Sequence, residues 1–367
     1  MQQDKSFGKR ITRLIDKADM TRNESRDAFT RILKDETTPM QQGAFLAALR
    51  AKGETAQEVA GAWEAIYQLD TTKVTTNAGA PLVENSGTGM DTFKTFNIST
   101  AAAIVAASAG VRMARHGARA ITSVCGTVDM AEALGVDVEC DADLVAHSIS
   151  GTNIGLFNGM SPKIHPMALG RILSQIHFGS TLNIAASLAN PAMPRTGARG
   201  VYSREMILPV IRVMKAIGYR RAIVFHGEVD GTDRGMDEAS VCGTTWCAEL
   251  NEQGHIHEFI LEPSKLELSP HDPAALRPES DLKKESRRFV ALIRGEENGN
   301  GARRQAVELN TALILKVAGK TATIASGMDA AAAAIDNGNA WRTLEGWVAS
   351  QNREPETGLV TLRRLQN

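Results

Sequence analysis

The amino-acid sequence predicts an α/β protein in two parts, a small N-terminal helical-bundle domain over residues 1–75 and a larger α/β domain over residues 79–367. Three observations support this prediction. Helix-capping signals follow one another through the first 60 residues with no strand-like run between them. After about residue 80, short apolar runs alternate with helical patterns, as in chains that build a central, mainly parallel sheet. The 32 glycines and the aromatic content of 5% favour close packing of helices on a sheet over an all-β sandwich.

The N-terminal part is predicted to be wholly helical. Thr21–Glu24, Thr38–Gln41 and Thr55–Glu58 are capping boxes, in which a threonine oxygen accepts from the N–H three residues on and a Glu or Gln reaches back. Gly53 suits a helix C-terminus. Thr71–Pro81 is predicted to be a linker to the second part.

The larger part opens with a short helix and short strands. Thr100–Ala109 is predicted to be a helix of small residues, and Val111–Ala114 and Ile121–Val124 are predicted strands. Arg221–Phe225 is the clearest buried strand, and we expect it to end in a turn at His226-Gly227.

Three later stretches complete the predicted organisation. A helix near Pro166–Ile176 is expected to pack back on the bundle, so that residues 160–178 join the helical domain in space. Asp272–Asn300 is polar and is predicted to be a surface stretch with a short helix, and Thr311–Trp347 returns to helices.

Composition excludes several classes of protein. The 41 basic and 42 acidic side chains leave a formal charge of -1, which argues against a protein that mainly coats nucleic acid. Four cysteines in 367 residues do not suggest a disulfide framework. The longest apolar run, Ala101–Val111, is too short to span a bilayer, so no membrane association is expected. The N-terminus lacks the apolar stretch of a signal peptide, and a cytoplasmic location is the expectation.

A glycine-rich segment followed by a helix N-terminus is the strongest local signal. Asn85–Asp91 contains Gly87-Thr88-Gly89, and Asn97, Ser99 and Thr100 lie where the next helix begins. Glycines let backbone N–H groups approach an anion, and the helix N-terminus adds its positive end. The spacing differs from nucleotide-triphosphate and NAD fingerprints. The segment therefore indicates a phosphate site, with Ser99 well placed as N-cap, or, taken alone, an ordinary capped helix.

Two further clusters carry charge. Arg115–Arg119, which includes His116, follows an apolar run, so Arg115 is expected at the end of a strand, where ligands collect in open sheets and where arginine suits phosphate. His226–Glu238 places five carboxylates on a glycine-rich loop directly after the best strand. Such a loop suits Mg²⁺ shared with a phosphate substrate, although a solvated acidic loop is the alternative. No nucleophile–histidine–acid set and no glycosidase dyad is recognisable.

The ordered set of these motifs resembles the anthranilate phosphoribosyltransferase family over nearly the whole chain. The matching motifs are Gly43–Arg50, Gly87-Thr88-Gly89-x-Asp91, Phe96–Thr100, His116-Gly117, Ser123-x-x-Gly126-x-x-Asp129-x-x-Glu132–Val136, His165-Pro166, Asn190-Pro191, the His226-Gly227 turn and Asp237-Glu238-x-Ser240. The resemblance implies a nucleoside-phosphorylase-like α/β domain beside a helical domain through which the chain forms a homodimer. It also implies transfer of a phosphoribosyl group from phosphoribosyl pyrophosphate (PRPP) to anthranilate or a related aromatic amine, with Mg²⁺, as in tryptophan biosynthesis.

The resemblance also implies residue roles. The implied PRPP-binding residues are Gly87, Thr88, Gly89, Asp91, Thr95, Asn97, Ser99, Thr100, Arg115, Ser123 and Gly126. The implied magnesium positions are Ser99, Asp237 and Glu238. The implied acceptor-binding residues are His116, Gly117, Ala118, His165 and Arg171. No covalent nucleophile is implied.

The departures from the family pattern lie mainly on the acceptor side. Ala118 replaces an asparagine, and the arginine that would bind the anthranilate carboxylate aligns near Leu173, so that Arg171 is the nearest basic residue. Ala186-Ser187 replaces Gly-Pro, and Met90 replaces a glycine in the phosphate loop. Losing one charge-assisted hydrogen bond costs roughly 1.5–3 kcal/mol. Several such losses favour an altered acceptor.

Three other functions remain open on the sequence. A phosphorylase of the same fold would use free phosphate and a nucleoside, but the Asp237-Glu238 pair argues against it. A non-catalytic nucleic-acid-binding relative is disfavoured by the near-neutral charge and the intact phosphate residues. A purely structural partner protein would make three anion-type clusters a coincidence.

Overall fold

The computed structural model describes residues 5–76, 79–120, 125–297 and 299–366, and its N-terminal part is helical, as predicted. The helices there are α1 (Lys5–Ile15), α2 (Arg22–Leu33), α3 (Pro39–Lys52) and α4 (Ala56–Leu69). The three predicted capping boxes are present at the starts of α2, α3 and α4. Gly53 follows α3 with a φ of 88°, a conformation that favours glycine.

The larger part is built on a mixed sheet, which confirms the predicted α/β class with a mainly parallel centre. The described residues form eight strands: β1 (Leu82–Gly87), β2 (Arg112–Gly117), β3 (Ile154–Asn158), β4 (Thr196–Gly200), β5 (Arg221–Glu228), β6 (Gly235–Met236), β7 (Thr245–Leu250) and β8 (Ile256–Leu261). The order is β3-β2-β1-β4-β5-β7-β8, and β6 pairs with β5. Neighbours from β3 to β5 are parallel, whereas β7 and β8 add antiparallel strands at one edge.

Helices cover both faces of this sheet. They are α5 (Ile98–Ser108), α6 (Thr127–Ala133), α7 (Ala142–Thr152), α8 (Leu169–Ile176), α9 (Thr181–Ser187), α10 (Ile207–Ala216), α11 (Leu282–Ile293), α12 (Ala302–Val317), α13 (Ile324–Asp336), α14 (Asn339–Ser350) and α15 (Pro355–Arg363). The alanine-rich α5 is almost wholly buried, because small side chains let it pack closely against α12 and α14. Within the described residues, no helix combines the length and the apolar character needed to cross a bilayer.

The bundle shares a hydrophobic core with the other face of the sheet. Ile66 of α4, Ile172 of α8 and Leu182 of α9 belong to the same buried cluster as Val224 of β5. The indole N–H of Trp63 donates to the Leu188 carbonyl at 2.9 Å, which fixes the end of α9 against α4. Helices α8 and α9 therefore share the hydrophobic core of the bundle.

Several details differ from the sequence prediction. Asn97, not Ser99, is the N-cap of α5, and Ser99 is the second helical residue, because its hydroxyl is engaged by Glu238. No turn occurs at His226-Gly227, because β5 continues through Glu228 and pairs with β6 and β7 there. β2 likewise continues to Gly117, which places Arg115 inside the strand. The predicted strand at Ile121–Val124 lies outside the described residues.

Candidate active site

The carboxyl ends of four parallel strands meet at one edge of the sheet. Gly87 ends β1, Gly117 ends β2, Gly200 ends β4 and Glu228 ends β5. Ligands of open α/β sheets bind at such an edge. Most of the predicted PRPP and magnesium residues lie on the segments that leave these strands, whereas Arg115 and His116 lie within β2 near its end.

The phosphate loop, residues 87–91, turns directly after β1. The Thr88 N–H donates to the Gly200 carbonyl at 3.1 Å, and Gly89 has a φ of 67°. A Cβ at Gly87 would overlap the Asp237 carboxylate, and a Cβ at Gly200 would overlap the Asp237 backbone. Glycine is therefore required at both strand ends for the acidic segment to approach the loop.

The acidic segment is tied to the phosphate loop at several points. The Gly89 N–H donates to Asp237 Oδ2 at 2.7 Å, and the Phe93 N–H donates to the Gly235 carbonyl at 2.9 Å. Thr92 Oγ1 accepts from the Gly235 N–H at 3.0 Å. These contacts join segments almost 150 positions apart in the sequence.

The N-terminus of α5 faces the same carboxylates. The Ser99 N–H donates to Glu238 Oε1 at 3.0 Å, and the Ser99 hydroxyl donates to the same oxygen. Asn97 Nδ2 contacts the carbonyls of Cys125 and Gly126 at 3.3 Å, which brings the segment before α6 to the site. The two half-buried residues Thr95 and Asn97 lie between the loop and the helix.

The two acidic side chains are crowded and resist ionisation. Burial, together with the neighbouring Asp237, raises the pKa of Glu238 to about 8. Burial, together with the charge of Asp91, raises the pKa of Asp237 to about 6. Asp91 itself forms an ion pair with Lys94 at 2.7 Å. A cation at this position would relieve the mutual repulsion of the carboxylates.

The oxygen atoms near the acid pair fit a magnesium ion that also binds water and substrate, and fit less well a metal ion enclosed by protein ligands alone. Across the described ranges, no group of three or more His, Cys, Asp or Glu side chains is arranged to hold a metal ion by itself. Mg²⁺ commonly uses one or two carboxylates and takes its other ligands from water and substrate phosphates. The oxygen atoms of Asp237, Glu238 and Ser99 meet that description.

Arg115 lies beneath the helix N-terminus and is almost fully buried. Its Nε donates to Asn85 Oδ1 and its Nη1 to Thr100 Oγ1, both at 2.9 Å. Burial lowers the pKa of Arg115 to about 10, and the charge of Glu238 opposes that shift. The guanidinium therefore adds positive charge under the site while it fixes Thr100 and β1.

The segment before α6 completes the donor side, by which we mean the phosphate loop, the start of α5, Gly126 and the Asp237–Glu238 pair. Asp129 Oδ2 accepts from the Ala120 N–H at 2.8 Å and the Gly126 N–H at 2.9 Å. Ser123 lies outside the described residues.

Two of the residues predicted to bind the acceptor, His116 and His165, form a buried pair. His116 Nε2 and His165 Nε2 lie 3.3 Å apart. His116 Nδ1 lies 3.3 Å from the Ser187 carbonyl, and His165 Nδ1 faces the Asp70 carbonyl. Burial lowers the pKa of His116 to about 3 and also lowers the pKa of His165. The carbonyl partners favour a hydrogen on each Nδ1, and in that tautomer the two neutral Nε2 atoms are hydrogen-bond acceptors.

The other predicted acceptor residues separate into two groups. Gly117 and Ala118 follow His116, and their carbonyls accept from the N–H groups of Gly159 and Val128. Arg171 instead contacts the bundle: its guanidinium donates to Gln42 Oε1 and the Ile32 carbonyl, both at 3.2 Å, and forms an ion pair with Asp35. The structure thus gathers the residues around His116 and His165, and engages Arg171 elsewhere.

Sequence reasoning missed a buried arginine in this region. Arg199 lies in β4, and its guanidinium contacts the hydroxyls of Ser86 and Ser187. The strand itself, Thr196–Gly200, contains no large apolar residue, so no strand signal was available. The one feature that could have drawn attention to Arg199 is its position as a charged residue directly before Gly200-Val201, between two segments rich in small residues.

Comparison with known proteins agrees with this geometry. The glycosyl transferase family α/β domain matches residues 79–341, and the helical bundle domain of the same family matches residues 9–69. The chain is 36% identical to the anthranilate phosphoribosyltransferase of an Anaeromyxobacter species over 342 residues, which cover 92% of this chain and 97% of that protein. The Myxococcus xanthus enzyme of the same name is also 36% identical, with 92% and 97% covered.

Solved structures show the same fold. The anthranilate phosphoribosyltransferase of Thermus thermophilus aligns with a TM-score of 0.83 at 27% identity, over 93% of this chain and 98% of that chain. The Saccharomyces cerevisiae enzyme, solved in complex with PRPP and Mg, aligns with a TM-score of 0.81 at 23% identity, over 95% and 98%. The matched domains and the identity over almost the whole length place this chain in the anthranilate phosphoribosyltransferase family of glycosyltransferases.

Proposed function

We propose that this protein transfers the 5-phosphoribosyl group of PRPP to an aromatic amine, anthranilate or a related acceptor, and releases pyrophosphate. The single observation that carries the proposal is the convergence of three distant segments, in which Asp237 accepts from Gly89 and Glu238 accepts from Ser99. The segments bring backbone N–H groups, a helix N-terminus and paired carboxylates to one strand edge, as a doubly phosphorylated sugar requires.

PRPP is proposed to bind on the donor side. The proposed PRPP-binding residues are Gly87, Thr88, Gly89, Asp91, Thr95, Asn97, Ser99, Thr100, Arg115, Ser123 and Gly126. For Thr100 and Arg115, the support is their mutual hydrogen bond under the start of α5. Arg115 is enclosed by protein, so its contribution is mainly a positive potential and the orientation of Thr100.

Ser99, Asp237 and Glu238 are the residues that we propose to hold Mg²⁺. When bound, the ion supplies charge neutralisation for the departing pyrophosphate. The chain's own part is to place the two carboxylates side by side, where a cation would favour their deprotonated forms, and to aim the N–H groups of Gly89 and Ser99 toward this region. The raised pKa values of Asp237 and Glu238 support a site that is completed by a cation.

The chemical step asks little covalent help from the protein. Positive charge grows on the ribose ring as pyrophosphate leaves, as it does in glycoside cleavage. The amine attacks C1 from the other face, so holding the two reactants in line supplies much of the rate gain. Closure of the bundle toward the sheet, which would exclude water, is part of the proposal.

The histidine pair suits the amine of the acceptor. In the tautomer that the carbonyl partners favour, the Nε2 atoms of His116 and His165 are both hydrogen-bond acceptors, and they lie 3.3 Å apart. An amine N–H that donates to either Nε2 would satisfy its lone pair, and the amine could leave its proton on that nitrogen after the C–N bond forms. The proposed acceptor-binding residues remain His116, Gly117, Ala118, His165 and Arg171.

The test is an assay of pyrophosphate release from PRPP, with and without Mg²⁺, across a panel of aromatic amines. We expect saturable release that requires both an amine and the metal. A protein that binds no PRPP by calorimetry, or that cleaves nucleosides with free phosphate instead, would reject the proposal.

Three further predictions belong to this proposal: a homodimer formed through the helical domain, the division at residues 75–79 with 160–178 joined to the bundle, and a cytoplasmic location. Exposed apolar residues on the bundle support the first, since Ile15 is 63% and Met40 86% exposed. Size-exclusion chromatography of wild type and Met40→Glu tests it. Two monomeric profiles would contradict it.

A further inference from the structure

A cluster of buried polar side chains lies on the face of the sheet that the bundle covers. Arg199 is 1% exposed and forms a buried ion pair with Glu84, with the closest N–O distance at 3.5 Å. Burial raises the pKa of Glu84 and of the adjacent Tyr219. Burial thus disfavours the charged form of Glu84 and weakens its compensation of the Arg199 charge.

Arg199 also has spare hydrogen-bonding capacity. Its Nη1 donates to Ser86 Oγ at 3.0 Å, and its Nη2 donates to Ser187 Oγ. Its Nε is buried without a partner. An unpaired buried donor costs free energy, so such a group in a folded protein calls for a functional reason.

Ser86 and Ser187 connect Arg199 to the residues of the proposed acceptor side. Both are half-buried, unlike Arg199 itself. Ser86 directly precedes Gly87 of the phosphate loop, and the Ser187 carbonyl faces His116 Nδ1. The charge of Arg199 is among the causes that lower the pKa of His116, after burial and the neighbouring His165. Arg199 is therefore close to the histidine pair.

Arg171, the other candidate for a positive charge near the acceptor, is less available because it is engaged on the bundle. The Arg171 guanidinium donates to Gln42 and the Ile32 carbonyl and pairs with Asp35, all on the bundle. Rearranging Arg171 would break these contacts. Action of Arg199 through Ser187 needs only the hydroxyl hydrogen of Ser187 to turn away from the Ile184 carbonyl, to which it donates at 2.9 Å.

We propose that Arg199 is a positioning residue that selects acceptors bearing a carboxylate, which the hydroxyls of Ser86 and Ser187 bind against the buried guanidinium. This inference rests on the proposed function and identifies the acceptor class of that site. Because Arg199 accepts no proton and reaches the ligand through serine hydroxyls, it acts on acceptor affinity and not on the leaving pyrophosphate.

The experiment compares binding of anthranilate and of its neutral amide, anthranilamide, by calorimetry in the absence of PRPP, so that turnover adds no heat. Wild type should prefer the carboxylate, and Arg199→Leu should lose roughly 10- to 100-fold of that preference, the range expected for a charge-assisted bond. The Kd of Arg199→Leu for PRPP should stay within about two-fold of the wild-type value. Arg195→Leu is the matched control, since Arg195 directly precedes β4 at the opposite end of the strand.

A folded Arg199→Leu that keeps the full preference, or that weakens PRPP and anthranilate equally, overturns the inference. If that variant fails to fold, the Ser86→Ala/Ser187→Ala double variant must show the same selective loss, and an unchanged preference there is equally decisive. A wild type that binds PRPP without preferring the carboxylate overturns this inference alone. A wild type that binds no PRPP overturns the proposed function as well.

Discussion

The proposed donor side and the proposed acceptor side of the site are built in different ways. The donor side uses short motifs whose chemistry is readable in sequence, a glycine loop, a helix start and an acid pair. The acceptor side, by which we mean His116, His165, Ser187 and Arg199, comes from four separate segments with no motif in common. Backbone N–H groups can bind any phosphate, whereas recognition of an acceptor depends on individual side chains. The donor side is therefore recognisable from local motifs. On the acceptor side, the family resemblance gave His116 and His165, and only the fold revealed Ser187 and Arg199.

The largest expected effect is on the donor side. Glu238→Gln removes a charge that we propose to hold Mg²⁺, while it keeps the size of the side chain. We expect kcat/KM to fall by about 10²–10³-fold, the scale of losing one preorganised electrostatic contact. Steady-state assays at several Mg²⁺ concentrations measure this loss.

Glu258→Gln serves as its control, because Glu258 is an exposed acid on the edge strand β8. It should leave kcat/KM unchanged. Full activity in Glu238→Gln would show that the acid pair has no part in the donor site.

The next effect is the contribution of His116 to the pH dependence of the free energy of unfolding. The pKa of His116 is lowered to about 3, whereas an unfolded histidine titrates near 6.5. Between these values the unfolded chain binds more protons, so the free energy of unfolding falls as the pH drops below about 6.5. The slope from His116 is about 1.4 kcal/mol per pH unit. Urea unfolding between pH 7 and pH 4 measures it.

His116→Gln should flatten this dependence relative to wild type. The exposed His257→Gln should leave it unaltered. Equal slopes in wild type and His116→Gln would mean that His116 is charged in the folded protein, and the proposed amine contact would fail with that result.

A smaller effect is expected at the helix that carries Ser187. Ser180 caps α9 in a capping box with Asn183. Ser180→Ala should lower the free energy of unfolding by about 1 kcal/mol. We also expect a rise of a few-fold in the acceptor KM, with the KM for PRPP unchanged, because α9 ends at the acceptor side. Thr38→Ala, which removes a cap far from the site, should cost similar stability with no change in either KM. A selective rise in the PRPP KM of Ser180→Ala would contradict the division between the two sides.

The smallest effect is expected at Met90, which replaces a glycine of the family pattern. Met90 has a φ of 64°, in the left-handed region, and its side chain is 53% exposed near Gly179. Because the side chain points out of the loop, Met90→Gly should change the KM for PRPP by less than about three-fold. A substitution by glycine also relieves backbone strain of about 1 kcal/mol, partly offset by the greater entropy of the unfolded chain. A ten-fold gain in PRPP affinity would show instead that Met90 narrows the loop.

Agreement between sequence and structure was best where the signals were local. The capping boxes of α2, α3 and α4 and the strand at Arg221–Phe225 depend on neighbouring residues, and the structure confirms them. The role of Ser99 as N-cap was wrong because a residue 139 positions away, Glu238, engages its hydroxyl. The strand β4 gave no apolar signal, because its small and polar residues are stabilised by pairing with β1 and β5.

The sequence alone determined the two-part organisation, the mainly parallel sheet and the phosphate-type segments, because periodicity, helix caps and glycine loops act over a few residues. Only the tertiary structure decided which charges share a site. It brought Glu238 to Ser99, paired His116 with His165, engaged Arg171 on the bundle and buried Arg199 behind Ser86 and Ser187. The physical reason is that the pKa and the free donors of a buried group depend on neighbours that the strand order supplies, and those neighbours are far apart along the chain.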